Sequence, residues 1–185
     1  MRNKAWAKTL LEIYKYLETI CGAIDDLVRR TSLSGFGNSL DTRDSADRII
    51  ELTSKKQRLI NMKIIIEDTL ASLNISDVKL LTLFYVDEVT AKNLSEILGI
   101  NIRTFFRRKD ISLTKFANSM KSAGFDHIRL NKIFENEHWI INTYKHNLST
   151  MLNRGGNDKE AYTCILNTAM KELKSFGKKK YVYGY

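Results

Sequence analysis

Hydrophobic positions along residues 5–30 recur at helical spacing. Trp6, Ile13, Ile20 and Leu27 return every seven residues, and Leu10, Leu17 and Ile24 do the same from an offset start. That is the a and d seam of a coiled coil, and it predicts one long helix. The Ser-, Gly- and Asn-rich stretch "TSLSGFGNSLDTRDS" from Thr31 to Ser45 predicts a flexible loop. A second long helix is expected from about Arg43 to Leu73, with Ile49, Leu52, Leu59, Ile66, Leu70 and Leu73 on one side. Lys56 and Lys63 interrupt its seam. Two long helices joined by a loop pack most simply as an antiparallel hairpin. The alternative is that the first helix pairs with a second copy of the chain as a homodimer.

After this hairpin the elements shorten. "NISD" marks a cap, with Ser76 or Asp77 accepting from the amides of a helix that carries Val78, Leu80, Leu81, Phe84 and Tyr85. Thr90 caps a short helix with Leu94, Ile97 and Leu98 inward. Gly99 stops it at positive φ, and Asn101 caps the next helix, which runs to about Ser122. Phe105, Ser112 or Leu113, Phe116 and Met120 face the core there, and Gly124 ends it. Residues 126–153 predict another long helix with Ile133, Ile140 or Ile141, Tyr144, Leu148 and Met151 on one face. "RGGND" then turns the chain into a last helix over about 158–176, with Tyr162, Ile165, Leu166, Ala169 and Leu173 inward. The tail "GKKKYVYGY" follows.

The pattern therefore predicts an all-α protein in four parts. These are a long helical hairpin (1–74), a helix-turn-helix unit (75–124), a C-terminal helical pair (125–176) and a basic aromatic tail (177–185). Proline is absent, which removes the main interruption to helices. No apolar run approaches the roughly 18 residues of a membrane span, and Lys8, Glu12 and Lys15 interrupt the N-terminal stretch, unlike a secretory leader. Cys21 and Cys164 lie on apolar helical faces and suit small core positions in a reducing compartment.

Charge changes the picture once it is located. The net charge is +9, yet residues 1–89 and 122–170 are each balanced. Residues 90–121 carry seven basic side chains against two acidic ones, and residues 171–185 carry five against one. Charge concentrated in this way is what a polyanionic partner selects, through phosphate neutralisation and counterion release.

The first of these basic segments contains "LSEILGINIRTFFRRKD", Leu94 to Asp110. A helix-turn-helix needs a short helix, a tight turn and a second helix fixed at a steep angle. Leu94, Leu98, Ile100 and Phe105 sit where that angle must be locked, and Gly99 is at the turn. Arg103, Thr104, Arg107 and Arg108 fall in the first turns of a recognition helix at about 101–122. Arginine bonds the two major-groove acceptors of guanine bidentately, and threonine can contact a thymine methyl. Lys92, Asn101, Lys109 and Lys115 suit phosphate contacts.

The run "SDVKLLTLFYVDEVTAKNLSEILGINIRTFFRRKDISLTKFANSM" resembles the region-four helix-turn-helix of bacterial sigma factors. More closely it resembles the phage-encoded ArpU and RinA families of late-gene transcriptional regulators. The ArpU-like recognition helix has Thr, two aromatic residues and Arg, then Lys, Leu and Phe-Ala. Thr104, Phe105, Phe106, Arg107, Lys109, Leu113, Phe116 and Ala117 match it here. The polar linker, the Ile- and Leu-rich helix and the "LFY" helix upstream match more loosely. The resemblance covers roughly residues 5–123 and is strong over 76–120. It implies a sigma-like, sequence-specific DNA-binding regulator of phage or prophage type in the bacterial cytoplasm, with double-stranded DNA as partner and RNA polymerase as a further one. Two features depart from the pattern. Arg108 stands where sigma-like relatives often keep an apolar residue, and residues 126–185 extend past the family's expected end.

Two other functions fit the same elements. A small terminase-like DNA-packaging subunit also joins a helix-turn-helix to long helices, and a helical interaction scaffold would carry the basic face only for solubility. Enzyme chemistry has no support in the sequence. His127, His138 and His146 lack metal-ligand spacing, and "RTSLSGFGNS" has neither the Lys-Ser/Thr nor the preceding strand of a phosphate loop. No catalytic residue, metal or cofactor is expected.

Overall fold

A computed structural model describes residues 1–34, 39–153 and 159–176, and every regular element among them is helical. In order these are α1 (Arg2–Tyr14), α2 (Leu17–Ser34), α3 (Ser39–Ala71), α4 (Ile75–Leu81), α5 (Ala91–Ile97), α6 (Ile102–Ser122), α7 (His127–Ile133), α8 (His138–Asn153) and α9 (Lys159–Phe176). A π-helical turn, Thr82–Val86, continues α4. No helix of the described residues is long and apolar enough to cross a membrane. The flexible loop expected from Thr31 to Ser45 is helical over most of its length, since α2 runs to Ser34 and α3 begins at Ser39; residues 35–38, the expected "RGGND" turn and the basic aromatic tail lie outside the described residues.

The long helix expected over 5–30 is two helices. The Tyr16 amide bonds the Ile13 carbonyl at 2.9 Å, a tighter i→i−3 closure that ends α1, and α2 begins at Leu17. Lys15 sits at this corner, paired to Glu88 and with its ammonium 4.6 Å from the Tyr16 ring centroid. Neither glycine nor proline marks the break. The heptad pattern passes straight through it because Leu17 and Ile20 are as buried as Leu10 and Ile13.

α1 is the central helix. Its residues Ala5 to Ile13 are all buried, and it packs on α3, the π turn, α6, α7 and α8. Trp6 stacks on Tyr144 with ring centroids 4.4 Å apart. A helix enclosed on every side must satisfy its polar side chains internally. The buried Asn147 amide donates to Thr9 Oγ1 (3.0 Å) and Glu12 Oε2 (2.7 Å), and Lys8 lies 3.7 Å from Glu12.

The expected antiparallel hairpin forms between α2 and α3. Its register is visible in two ion pairs, Glu18–Lys63 at 2.8 Å and Asp25–Lys56 at 2.6 Å. One partner moves up a heptad as the other moves down, so Lys56 and Lys63 flank the seam and do not interrupt it. Leu17, Ile20, Ile24, Leu52, Leu59 and Ile66 fill the interior beside them. A dimer through this seam would need residues that the chain itself covers. Cys21 on α2 is a half-buried free thiol whose pKa burial pushes up. The side chains of Tyr162 and Cys164 lie outside the described residues.

The single helix expected over 126–153 is also two. α7 ends at Phe134, which is buried, and α8 starts after Glu137. Glu137 causes the break to be useful: its carboxylate, 3% exposed as a residue, receives Lys55 at 3.0 Å and Arg58 at 2.7 Å from α3. Lys55 also lies 3.8 Å from Glu172 of α9, and Glu172 accepts from the Trp139 amide at 3.1 Å. This ionic knot ties α3, the start of α8 and α9 together. Removing one partner from such a knot leaves buried charge uncompensated. Glu137→Ala should therefore cost about 3 kcal/mol in urea unfolding; a loss below about 1 kcal/mol would mean that water already satisfies Lys55 and Arg58.

Candidate nucleic-acid interface

The basic segment and α4 before it fold as three helices around a small core of their own. Leu80 of α4, Leu94 of α5 and Phe105 of α6 form its centre, with Leu83, Phe84, Val89, Ala91 and Ile100 packed against them. The π turn lets neighbouring aromatics serve two cores. Tyr85 is buried in the main core, while Phe84 also reaches Phe105, with ring centroids 5.7 Å apart.

Each helix start in this unit has a side-chain cap. Asn74, not Ser76 or Asp77, caps α4 by accepting from the Asp77 amide at 3.2 Å. Thr90 caps α5 through the Asn93 amide at 3.2 Å, and Asn101 caps α6 through the Thr104 amide at 2.8 Å. The turn between α5 and α6 is a Schellman motif. Gly99 has φ 61°, its amide bonds the Glu96 carbonyl at 3.1 Å, and the Ile100 amide bonds Ser95 at 3.0 Å. The turn carries Ile100 back against the small core. Ile97 and Leu98, expected inward, are instead 71% and 42% exposed, while Ile100 packs against the small core.

Asp77 is the pin that the sequence does not announce. Its carboxylate accepts from Ser112 and pairs with Lys115 at 2.7 Å, both on α6. Burial works to raise its pKa, but the bonds from Lys115, Ser112 and the capping Asn74 outweigh that and hold the carboxyl below its ordinary range. Its position three residues after Asn74 on α4 explains the misassignment as a cap: it faces the α6 side and not its own helix start.

The site residues expected from sequence divide into two groups. Arg103, Arg107 and Arg108 are exposed on α6 and Thr104 is half-buried beside them. Arg103 and Arg107, spaced i and i+4, share one face, opposite the buried Phe105, Ser112 and Phe116. Arg108 lies on the next stripe and lines a groove of about 350 Å³ with Leu83, Leu98 and Ile111. Among the described residues no ion pair engages any of these three guanidiniums, and Lys92 on α5 is likewise exposed and unpaired. Three of the four expected phosphate contacts have other engagements. Lys109 places its ammonium 4.3 Å from the Phe84 ring centroid and 5.1 Å from that of Phe106. Lys115 is held by Asp77, and the Asn101 side chain is spent on capping.

Contacts with the body fix the unit. Lys4 of α1 pairs with Asp110, and the hydroxyl of Ser72, the residue after α3, hydrogen-bonds that of Ser119. The second half of α6 enters the main core through Leu113, Phe116, Ala117 and Met120. Among the described residues no group of His, Cys, Asp and Glu side chains is arranged to hold a metal.

No family model, curated protein or solved structure matches the chain.

The Asp77 pin has a pH signature. A carboxyl with a lowered folded pKa contributes stability above its unfolded value and loses it as pH falls through the folded one. Asp77→Asn should cost about 2 kcal/mol at pH 7, and the gap from wild type should shrink when unfolding is measured near pH 3, below the ordinary carboxyl value of 3.8. A gap that stays constant between the two pH values would show that Asp77 acts by packing alone.

Proposed function

We propose that the chain binds double-stranded DNA and reads it with the first half of α6, as a sequence-specific transcriptional regulator of the phage or prophage type. One observation carries this: the three arginines at the start of α6 are left outside the protein's own ion pairs among the described residues. Several lysines and arginines of the body are committed to carboxylates, as in Lys56–Asp25, Arg58–Glu137 and Lys63–Glu18, and so is Lys115 further along α6, to Asp77. Arg103, Arg107 and Arg108 are held out on a capped, rigid helix with no such partner among the described residues.

The chemistry suits a major groove. An α-helix fits its width, and arginine on the exposed face of a recognition helix bonds guanine bidentately. Ile102, Phe106 and Ile111, exposed on the same helix as the arginines, can meet thymine methyls or sugars. Lys92 at the start of α5 is placed for the flanking backbone. The resemblance to sigma region four and to the ArpU and RinA regulators supports transcription as the process, with RNA polymerase as a second partner.

Phosphate engagement has a direct readout. Anisotropy titrations of a mixed-sequence duplex at increasing salt should give a steep fall of log affinity with log salt. Lys92→Ala should flatten that slope by roughly one unit, and Arg103→Ala and Arg107→Ala should each cost roughly 1–3 kcal/mol on a duplex that the protein selects. Affinity independent of salt would rule the proposal out.

A further inference from the structure

A concavity among the described residues lies away from the arginine face. α3, the end of α6 and α7 meet there without closing and leave a cleft of about 550 Å³. Its apolar wall comes from Met62 and Ile65 of α3, Phe125 of the turn after α6, and Ile133 and Phe134 at the end of α7. The Ser72–Ser119 hydroxyl bond joins the residue after α3 to α6 on its lining. The volume is that of a small-molecule site, which typically runs from about 300 to 1,000 Å³.

The charged groups around the cleft are unequal. Arg58 is committed to Glu137 at 2.7 Å. Asp68 of α3 also lines the cleft, but its carboxylate is exposed and no hydrogen bond or ion pair among the described residues fixes it. Arg129 of α7 is different. Its guanidinium stacks over the Phe125 ring at 4.8 Å and donates to the Gly124 carbonyl at 3.3 Å, so it is held in place. No ion pair engages it among the described residues. Gly124 keeps the arrangement tight: φ is 85°, and a Cβ there would sit 3.2 Å from Arg129 Nη1.

An apolar cleft with one positioned, unpaired guanidinium selects a molecule that has an apolar body and a single anionic group. We propose that this cleft binds an amphipathic organic anion, with the body against Ile65, Ile133 and Phe134 and the anion on Arg129. The site shares no residue with the exposed arginine face of α6, so it stands independently of DNA binding.

Two fluorescent probes with the same aromatic body test this on the full chain. 8-Anilinonaphthalene-1-sulfonate carries the anion, and N-phenyl-1-naphthylamine lacks it. The sulfonate should bind the folded protein with one-to-one stoichiometry and about tenfold more tightly than the neutral probe, the worth of a charge-assisted bond. Arg129→Ala should remove that preference and leave the neutral probe's affinity within about twofold. Ala123→Trp, at an exposed position on the lining, should block both probes while far-UV circular dichroism stays that of wild type. Arg129→Lys keeps charge without the fork and should retain most of the preference. Equal affinity for the two probes, binding unaffected by Ala123→Trp, multiple weak sites, or no binding at all would each overturn the proposal.

Discussion

Enclosing α1 is the constraint on which the other helices depend. A helix buried from Ala5 to Ile13 gives up water on every side, and three of those residues, Lys8, Thr9 and Glu12, are polar. Each has to find its partner within the protein, and an unpaired charge there would cost several kcal/mol. The Asn147 amide meets this demand by bridging Thr9 and Glu12, which fixes the rotation of α8 about α1. Trp6 stacked on Tyr144 one turn away fixes its height. With α8 set, the Glu137 knot sets α3 and α9, and α3 sets α2 through the paired seam.

The same enclosure explains why the start of α6 stands free. α6 is a helix of 21 residues, about 30 Å long. Its second half is bound to α1 through Leu113, Phe116, Ala117 and Met120. Its first half has only Phe105 buried, in the small core under α4 and α5. A rigid rod anchored at one end and braced at the other holds the face bearing Arg103 and Arg107 without covering it. Asp77 supplies the brace through Ser112 and Lys115, and the Asn101 cap and Gly99 turn set where the rod begins. Precise placement on a rigid element is what base recognition requires of a side chain.

Helix identity was legible in the sequence wherever a periodic face coincided with a polar cap. Thr90, Asn101, Gly99 and Gly124 all mark ends that the structure shows, because caps and positive-φ glycines act locally. The breaks at Lys15–Tyr16 and at 134–137 were not legible. No glycine or proline sits at either, and the ion pairs beside them join residues distant in the chain, Lys15 with Glu88 and Glu137 with Lys55 and Arg58. Exposure of Arg103, Arg107 and Arg108 could be read from their spacing on α6. The engagement of Lys109 with Phe84 and of Lys115 with Asp77 could not, since both partners lie far along the chain and neither contact has a sequence period. Location of charge predicted the segment; pairing of charge decides which of its cations remain available.

The most direct measurement is selection of bound duplexes from a random DNA pool, run in parallel for the wild-type chain and for the chain with both Arg103→Ala and Arg107→Ala. A base-reading α6 should enrich a defined consensus with guanine at the arginine positions, and the double variant should lose the enrichment at those positions while its fold persists. A pool that stays random with the wild-type chain, or the same consensus from both chains, would contradict the assignment of α6 as the reading helix.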